Sequence, residues 1–187
     1  AGRTAKAAFV DDVGSLSYGD LAVRLRRFAA ALRAAGVRRE ERVLLVMHDG
    51  HEWPIAFLGA LYAGIVPVAV STLMTADDYA YMLRNSRSQA VLTSGALLGT
   101  LQAALDQGGH EVQTVVVARP AGALPDGAVE FGAFVDGAQP MAAPAPTAPD
   151  DPGFWLYSSG STGKPKGIVH THANPYWTAE LYGTPVL

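Results

Sequence analysis

The chain has 187 residues, 49% of them hydrophobic, a formal net charge of −3 and no cysteine. That much apolar material can bury a core, so the chain is not a disordered segment, and its slight acidity excludes a basic nucleic-acid binder. Without cysteine there is no disulfide framework, no thiolate zinc site and no cysteine nucleophile, a composition that suits a cytoplasmic protein.

Ala1 to Ala8 carries Arg3 and Lys6 without the apolar core of a signal peptide. Phe9-Val10, a turn at Asp11 to Gly14, and Ser15-Leu16-Ser17 read as a hairpin leading into a helix. Ser17 and Asp20 have capping-box spacing, and Leu21, Leu25, Phe28 and Leu32 mark one apolar face. Gly36 ends that helix, with Val37 placed to touch Leu32 across a Schellman turn. Arg24, Arg26, Arg27 and Arg33 read as the solvated outer face rather than as an anion site.

An alternation of strand and helix follows. Strands are expected at Arg42 to Met47, Val66 to Val70, Ala90 to Thr93 and Val112 to Val117. Helices are expected near Trp53 to Ala63, at Ala76 to Ser86 behind a Thr75 cap, and at Ala96 to Gln107. Apolar strands separated by helices predict an α/β fold, a mostly parallel sheet with helices on both faces. The uncharged run from Trp53 to Ala76 exceeds the length of about 18 apolar residues that marks a membrane-span candidate. Pro54, Gly59, Gly64 and Pro67 interrupt it and both flanks are acidic, so a buried helix and strand explain it better than a membrane segment. The chain divides on composition into an α/β unit over 1–136, a Pro- and Ala-rich surface connector over 137–151, and a unit over 152–187.

That last unit contains the run from Tyr157 to Gly167. Gly160, Gly163 and Gly167 let backbone N–H groups turn toward one point; Ser158, Ser159, Ser161 and Thr162 add hydroxyl donors; Lys164 and Lys166 add charge. The composition is that of a polyphosphate cradle. It is not a Walker A loop, because five positions after Gly160, where the second glycine should be, stands Pro165, and because the same proline, rather than a hydroxyl residue, follows Gly163-Lys164. Phe154 to Tyr157 before it and Ile168-Val169 after it read as strands, so the loop joins two strands and has no helix N-terminus to help hold an anion. No Gly-x-Ser-x-Gly elbow supports a serine hydrolase.

With its flanking strands, this run resembles the phosphate loop of the adenylate-forming superfamily. Phe154 to Gly183, with Leu44 to Met47 and Ala56 to Val70, is similar to benzoate- and hydroxybenzoate-CoA ligases in particular. The resemblance implies part of the large N-terminal domain of an AMP-forming aryl-CoA ligase, using ATP, Mg2+ and CoA on an aryl carboxylate. It assigns Ser158, Ser159, Gly160, Ser161, Thr162, Gly163, Lys164 and Lys166 to ATP phosphates and gives Lys166 the catalytic charge, while the position of Lys164 tolerates many residues. It also implies that the magnesium-holding acid, the adenine contacts, most of the acyl pocket and a mobile C-terminal domain follow Leu187. The expectation is therefore an N-terminal fragment, inactive alone, whose partner is the remainder of the same enzyme; no nucleic acid or membrane partner is expected, and a homo-oligomer stays open. Another acid substrate, or a non-catalytic nucleotide- or partner-binding module, also stays open.

His170 and His172 are two apart and would share a strand face; a structural role is favoured over a metal site for want of a third ligand. The resemblance places His172 near the active site, at the start of a helix in which Pro175 falls early. Tyr176, Trp177 and Tyr182 are read as core rather than as pocket lining.

Overall fold

The computed structural model describes residues 2–158 and 163–186. An N-terminal hairpin of β1 (Ala7–Asp11) and β2 (Gly14–Ser17) leads into α1 (Tyr18–Ala34). Then follow β3 (Arg42–Val46), α2 (Glu52–Tyr62), β4 (Val66–Ala69), α3 (Ala76–Ser86), β5 (Ala90–Ser94), α4 (Leu98–Leu105) and β6 (Thr114–Ala118). Last come β7 (Ala128–Glu130), α5 (Phe131–Asp136), the antiparallel pair β8 (Pro152–Ser158) and β9 (Lys166–Thr171), and α6 (Ala173–Thr178), continued by a π turn over Ala179–Gly183 and a short α7 (Thr184–Val186).

Seven strands form one sheet in the order β7-β6-β5-β3-β4-β8-β9, parallel except for β9. Successive side chains on a strand face opposite ways, so a central parallel strand must be apolar throughout. On β3, Val43 and Leu45 enter one core with Phe28 and Leu32 of α1, Ile55 and Ala60 of α2, and Phe131 and Val135 of α5. Leu44 and Val46 enter the other, with Tyr79 and Leu83 of α3 and Leu101 and Ala104 of α4. The expected α/β architecture, helices on both faces of a mostly parallel sheet, is the observed one. The uncharged run Trp53 to Ala76 becomes α2, β4 and the start of α3. Among the described residues no helix is long and apolar enough to cross a membrane.

The expected helix ends are built as read. Ser17 Oγ accepts from the Asp20 N–H at 3.1 Å and donates to its carboxylate at 2.6 Å. Gly36 sits at φ +89, and the Val37 N–H donates back to the Leu32 carbonyl at 3.1 Å, closing the Schellman turn. Thr75 and Asp78 form a reciprocal capping box at the start of α3.

Three readings need correction. β6 begins at Thr114, because the Val112 N–H is taken by His110 Nδ1 at 3.2 Å and does not enter the ladder. A 3-10 turn over Gly95–Leu97 precedes α4, which is shorter than expected, and β7 and α5 were not anticipated. The α1 arginines are not all solvated: Arg26 donates to the Met141 carbonyl at 2.6 Å, Arg27 pairs with Asp136 at 3.5 Å, and of the four only Arg33 is exposed. Between Asp136 and Pro152 there is no helix or strand, and this stretch is strapped along α1 and α2. Met141 and Ala145 donate N–H bonds to the carbonyls of Arg26 and Tyr62 at 3.1 and 2.8 Å, and Arg39 holds Asp151 at 3.0 Å.

Candidate functional site

β8 runs parallel to β4, so its carboxyl end opens on the same edge of the sheet as those of β3, β4, β5 and β6. That edge is where open α/β sheets hold ligands. The expected loop leaves there and returns as β9, joining two strands as anticipated, with Ser158 opposite Lys166 at its mouth. Ser158, Gly163, Lys164 and Lys166 are exposed. Gly163 lies at φ +85 with nothing within 4 Å of where a Cβ would stand, a conformation and an opening that suit close approach of an anion to the backbone. Ser159, Gly160, Ser161 and Thr162 lie outside the described residues.

The two lysines part company. Alternation places Lys166, Ile168 and His170 on one face of the hairpin with their partners Ser158, Leu156 and Phe154. Phe154 stacks on His170 at 4.7 Å and meets Phe57 of α2 at 5.5 Å, which identifies this as the α2 side. Trp155 and Tyr157 face the other way and pack against the α3–α4 core. There the Tyr157 hydroxyl donates to Asn85 Oδ1 at 2.7 Å, and burial, with a contribution from nearby Tyr81, pushes its pKa up to about 12. Lys164 goes to the same side, its Nζ 5.2 Å from the centre of the Tyr81 ring.

Tyr81 and Asn85 were not singled out from the sequence. Their i, i+4 spacing on α3 signals a shared face, but only the sheet order, with β8 beside β4, brings that face to the loop.

His172 lies beyond β9 with α-helical backbone at the N-cap of α6, so the two histidines do not share a strand face. Among the described residues no group of three or more His, Asp or Glu is arranged to hold a metal ion. Tyr176, Trp177 and Tyr182 are 58%, 55% and 54% exposed, not core. Asn174, Pro175 and Thr178 face a cavity of about 470 Å³ over Phe154, Leu156 and His170, and Tyr176 and Trp177 border a separate hollow against Thr147 to Pro149.

Two crevices flank the carboxyl end of β3, because α2 leaves toward one face of the sheet while α3 and α4 leave toward the other. One, of about 320 Å³, lies between Asp49 and Ser71 to Leu73; the other, of about 400 Å³, lies between His48, Ser94 and Arg119. Arg119 closes the second by holding Asp12 at 2.8 Å, Glu52 at 2.9 Å and Asp11. Burial alone would raise the Asp11 pKa; hydrogen bonds from Arg119 and from the N–H groups of His51 and Val13 outweigh it and lower the value to about 2. Those carboxylates in turn raise the Arg119 pKa. This clamp is not legible in the sequence, because the Asp11–Asp12 pair, Glu52 and Arg119 are far apart in the chain.

The model of a family described as "AMP-binding enzyme" matches residues 1–185. The chain belongs to that family. Within it, the chain is 43% identical over its full length to a benzoate–CoA ligase of Thauera aromatica, covering 34% of that protein. A solved benzoate CoA ligase from Burkholderia xenovorans LB400 superposes with a TM-score of 0.87 at 51% identity, over 98% of this chain and 35% of that one. An anthranilate CoA ligase solved with anthranoyl-AMP superposes at 0.93 and 27% identity, over 99% of this chain and 35% of that one. The chain thus spans about a third of the length of these AMP-binding relatives.

Proposed function

We propose that this chain supplies the ATP-phosphate loop of an AMP-forming aryl-CoA ligase that works in the cytoplasm with benzoate as its acid. In the first step a carboxylate oxygen attacks the α-phosphorus of ATP and the bond to the β-phosphate oxygen breaks, giving the acyl-adenylate and pyrophosphate. In the second, the thiol of CoA loses its proton, its sulfur bonds to the acyl carbon, and AMP leaves.

The observation that carries the reading is the mouth of the hairpin. Ser158 and Lys166 stand opposite each other on the ligand-bearing edge of the sheet, and Gly163 leaves its backbone open beside them. The Lys166 ammonium and the Ser158 hydroxyl are the donor types a triphosphate needs, and charge developing on the leaving pyrophosphate is what a fixed ammonium stabilises. Ser159, Gly160, Ser161 and Thr162 complete the cradle on the sequence pattern, and Lys164 is assigned to the loop's anchorage. Benzoate follows from likeness to proteins named as benzoate–CoA ligases. Mg2+ accompanies the nucleotide as the resemblance implies, and none of the residues discussed is assigned to it.

The test uses a protein of the relatives' length that carries this chain. ATP–pyrophosphate exchange is expected with benzoate in preference to palmitate or amino acids. Lys166→Ala is expected to lower the exchange rate roughly one hundred-fold, the scale of losing one transition-state donor, and Lys164→Ala far less. Equal losses from the two lysines would overturn the assignment, and an amino acid or palmitate winning the panel would overturn the choice of acid.

A further inference from the structure

The hairpin that presents the loop is fastened on one side to a single helix. Tyr157, next to last in β8, donates its hydroxyl to Asn85, and Lys164, two residues before β9, lays its ammonium over Tyr81. Asn85 and Tyr81 are one turn apart on α3. The helix is a firm mount: its N-terminus is closed by the Thr75–Asp78 capping box, and its buried Tyr79 donates to the Ser71 carbonyl at 2.9 Å. Asp78 adds a negative charge within reach of Lys164, while its Oδ2 is held by Thr75.

We propose that Tyr81 and Asn85 are positioning residues for the phosphate loop, and that Lys164 is its tether to α3 instead of a phosphate ligand. The proposal rests on reading the loop as the ATP-phosphate cradle. Tyr157 with Asn85 fixes the strand entering the loop, and Lys164 with Tyr81 fixes the segment leaving it. Lys166, at a register position on the opposite face, is then the lysine left for the nucleotide. The ring of Tyr81 is half-buried against the α3–α4 core but Lys164 is exposed, so the contact is a weak one that holds the segment leaving the loop and does not decide whether the protein folds.

A double-mutant cycle in a protein of the relatives' length that carries this chain tests it, with ATP and acid KM, kcat and thermal midpoint measured together. Tyr81→Leu and Lys164→Ala are each expected to raise the KM for ATP roughly two- to five-fold, the equivalent of an exposed cation–π contact, and to leave the KM for the acid unmoved; Lys164→Ala, at an exposed residue, is also expected to leave the thermal midpoint unmoved. The double variant is expected to be no worse than either single one, and Tyr81→Phe and Lys164→Arg to behave as the parent. A loss from Lys164→Ala that Tyr81→Leu does not reproduce, or losses that multiply, would place Lys164 on the nucleotide and overturn the proposal.

A readout without nucleotide separates this from the function itself. In the 187-residue chain, trypsin can cut after Lys166 but not after Lys164, which precedes proline. Tyr81→Leu and Asn85→Ala are each expected to speed that cleavage by a similar factor. Unchanged cleavage would overturn the tether whatever the enzyme does; faster cleavage in a protein with no exchange activity would keep the tether and remove the adenylation reading.

Discussion

Replacing Gly59 by alanine sets two physical effects against each other. Gly59 lies within α2, where helix propensity alone favours alanine by about 1 kcal/mol. Its α-carbon, however, faces α1 so closely that an added Cβ would stand 2.7 Å from the Leu25 carbonyl oxygen and 2.7 Å from Cδ1 of Phe28. Neither neighbour can give way cheaply. The first is helical backbone, and the second is a fully buried ring stacked on Phe131 at 5.6 Å and edge-on to Phe134 at 5.7 Å. Overpacking costs about 1–3 kcal/mol, and two contacts this short, one to backbone, belong at the upper end. The net expectation is a loss of about 2 kcal/mol, roughly 4–8 °C in thermal midpoint for a chain of this size. Gly99→Ala in α4 is the matched control: nothing lies within 4 Å of its Cβ position, so it is expected to gain up to about 1 kcal/mol. Thermal unfolding followed by circular dichroism reads both. A Gly59→Ala protein as stable as the parent would show that α1 and α2 can separate freely and would refute the reasoning.

The Asp11 carboxyl, lowered from 3.8 to about 2, contributes stability that is present above about pH 4 and lost as the pH falls through about 2. Asp11→Asn is therefore expected to lower the unfolding midpoint at pH 6 and to converge on the parent toward pH 2; a deficit that stays constant across that range would dismiss the Arg119 clamp as its source. The exposed Leu156, Ile168, Val169, Trp177 and Leu181 surround an open edge strand, so the 187-residue chain is expected to self-associate. Sedimentation should show mass rising with concentration, and Val169→Lys should reduce the rise; a strictly monomeric parent would count against an adhesive edge.

What the sequence made legible was local. The Schellman turn at Gly36, the Thr75 cap and the two strands that flank the proposed phosphate loop each depend on a few consecutive residues whose backbone requirements show in their identity. Strands β3 to β5 were readable because burial on both faces forces an unbroken apolar run. By contrast, β7 is three residues long and α5 six, too short for either period to show. Arg24 to Arg27 were misread for another reason: composition marks them as solvated, and only the later stretch around Met141 supplies the carbonyl that half-buries Arg26. The proposed phosphate loop is conspicuous for its glycines and lysines, yet the sequence could not separate Lys164 from Lys166. Their divergence follows from the register of β9 against β8 and from the neighbouring α3, both products of sheet order.

The path of the chain from α5 to β8 also bears on when the site forms. β7 closes one edge of the sheet, and β8 must pair with β4 toward the other, so the stretch between Asp136 and Pro152 spans the outer surface of α1 and α2 before β8 can find Val68 and Ala69. Closing that long circuit demands that β4 already be in place and that both helices already offer the Arg26 and Tyr62 carbonyls as footholds. The hairpin is therefore expected to be the last piece laid onto the sheet. On refolding, protection of amide hydrogens in β3, β4 and β5 should precede protection in β9, so a partly folded molecule would have a sheet without its β8–β9 hairpin.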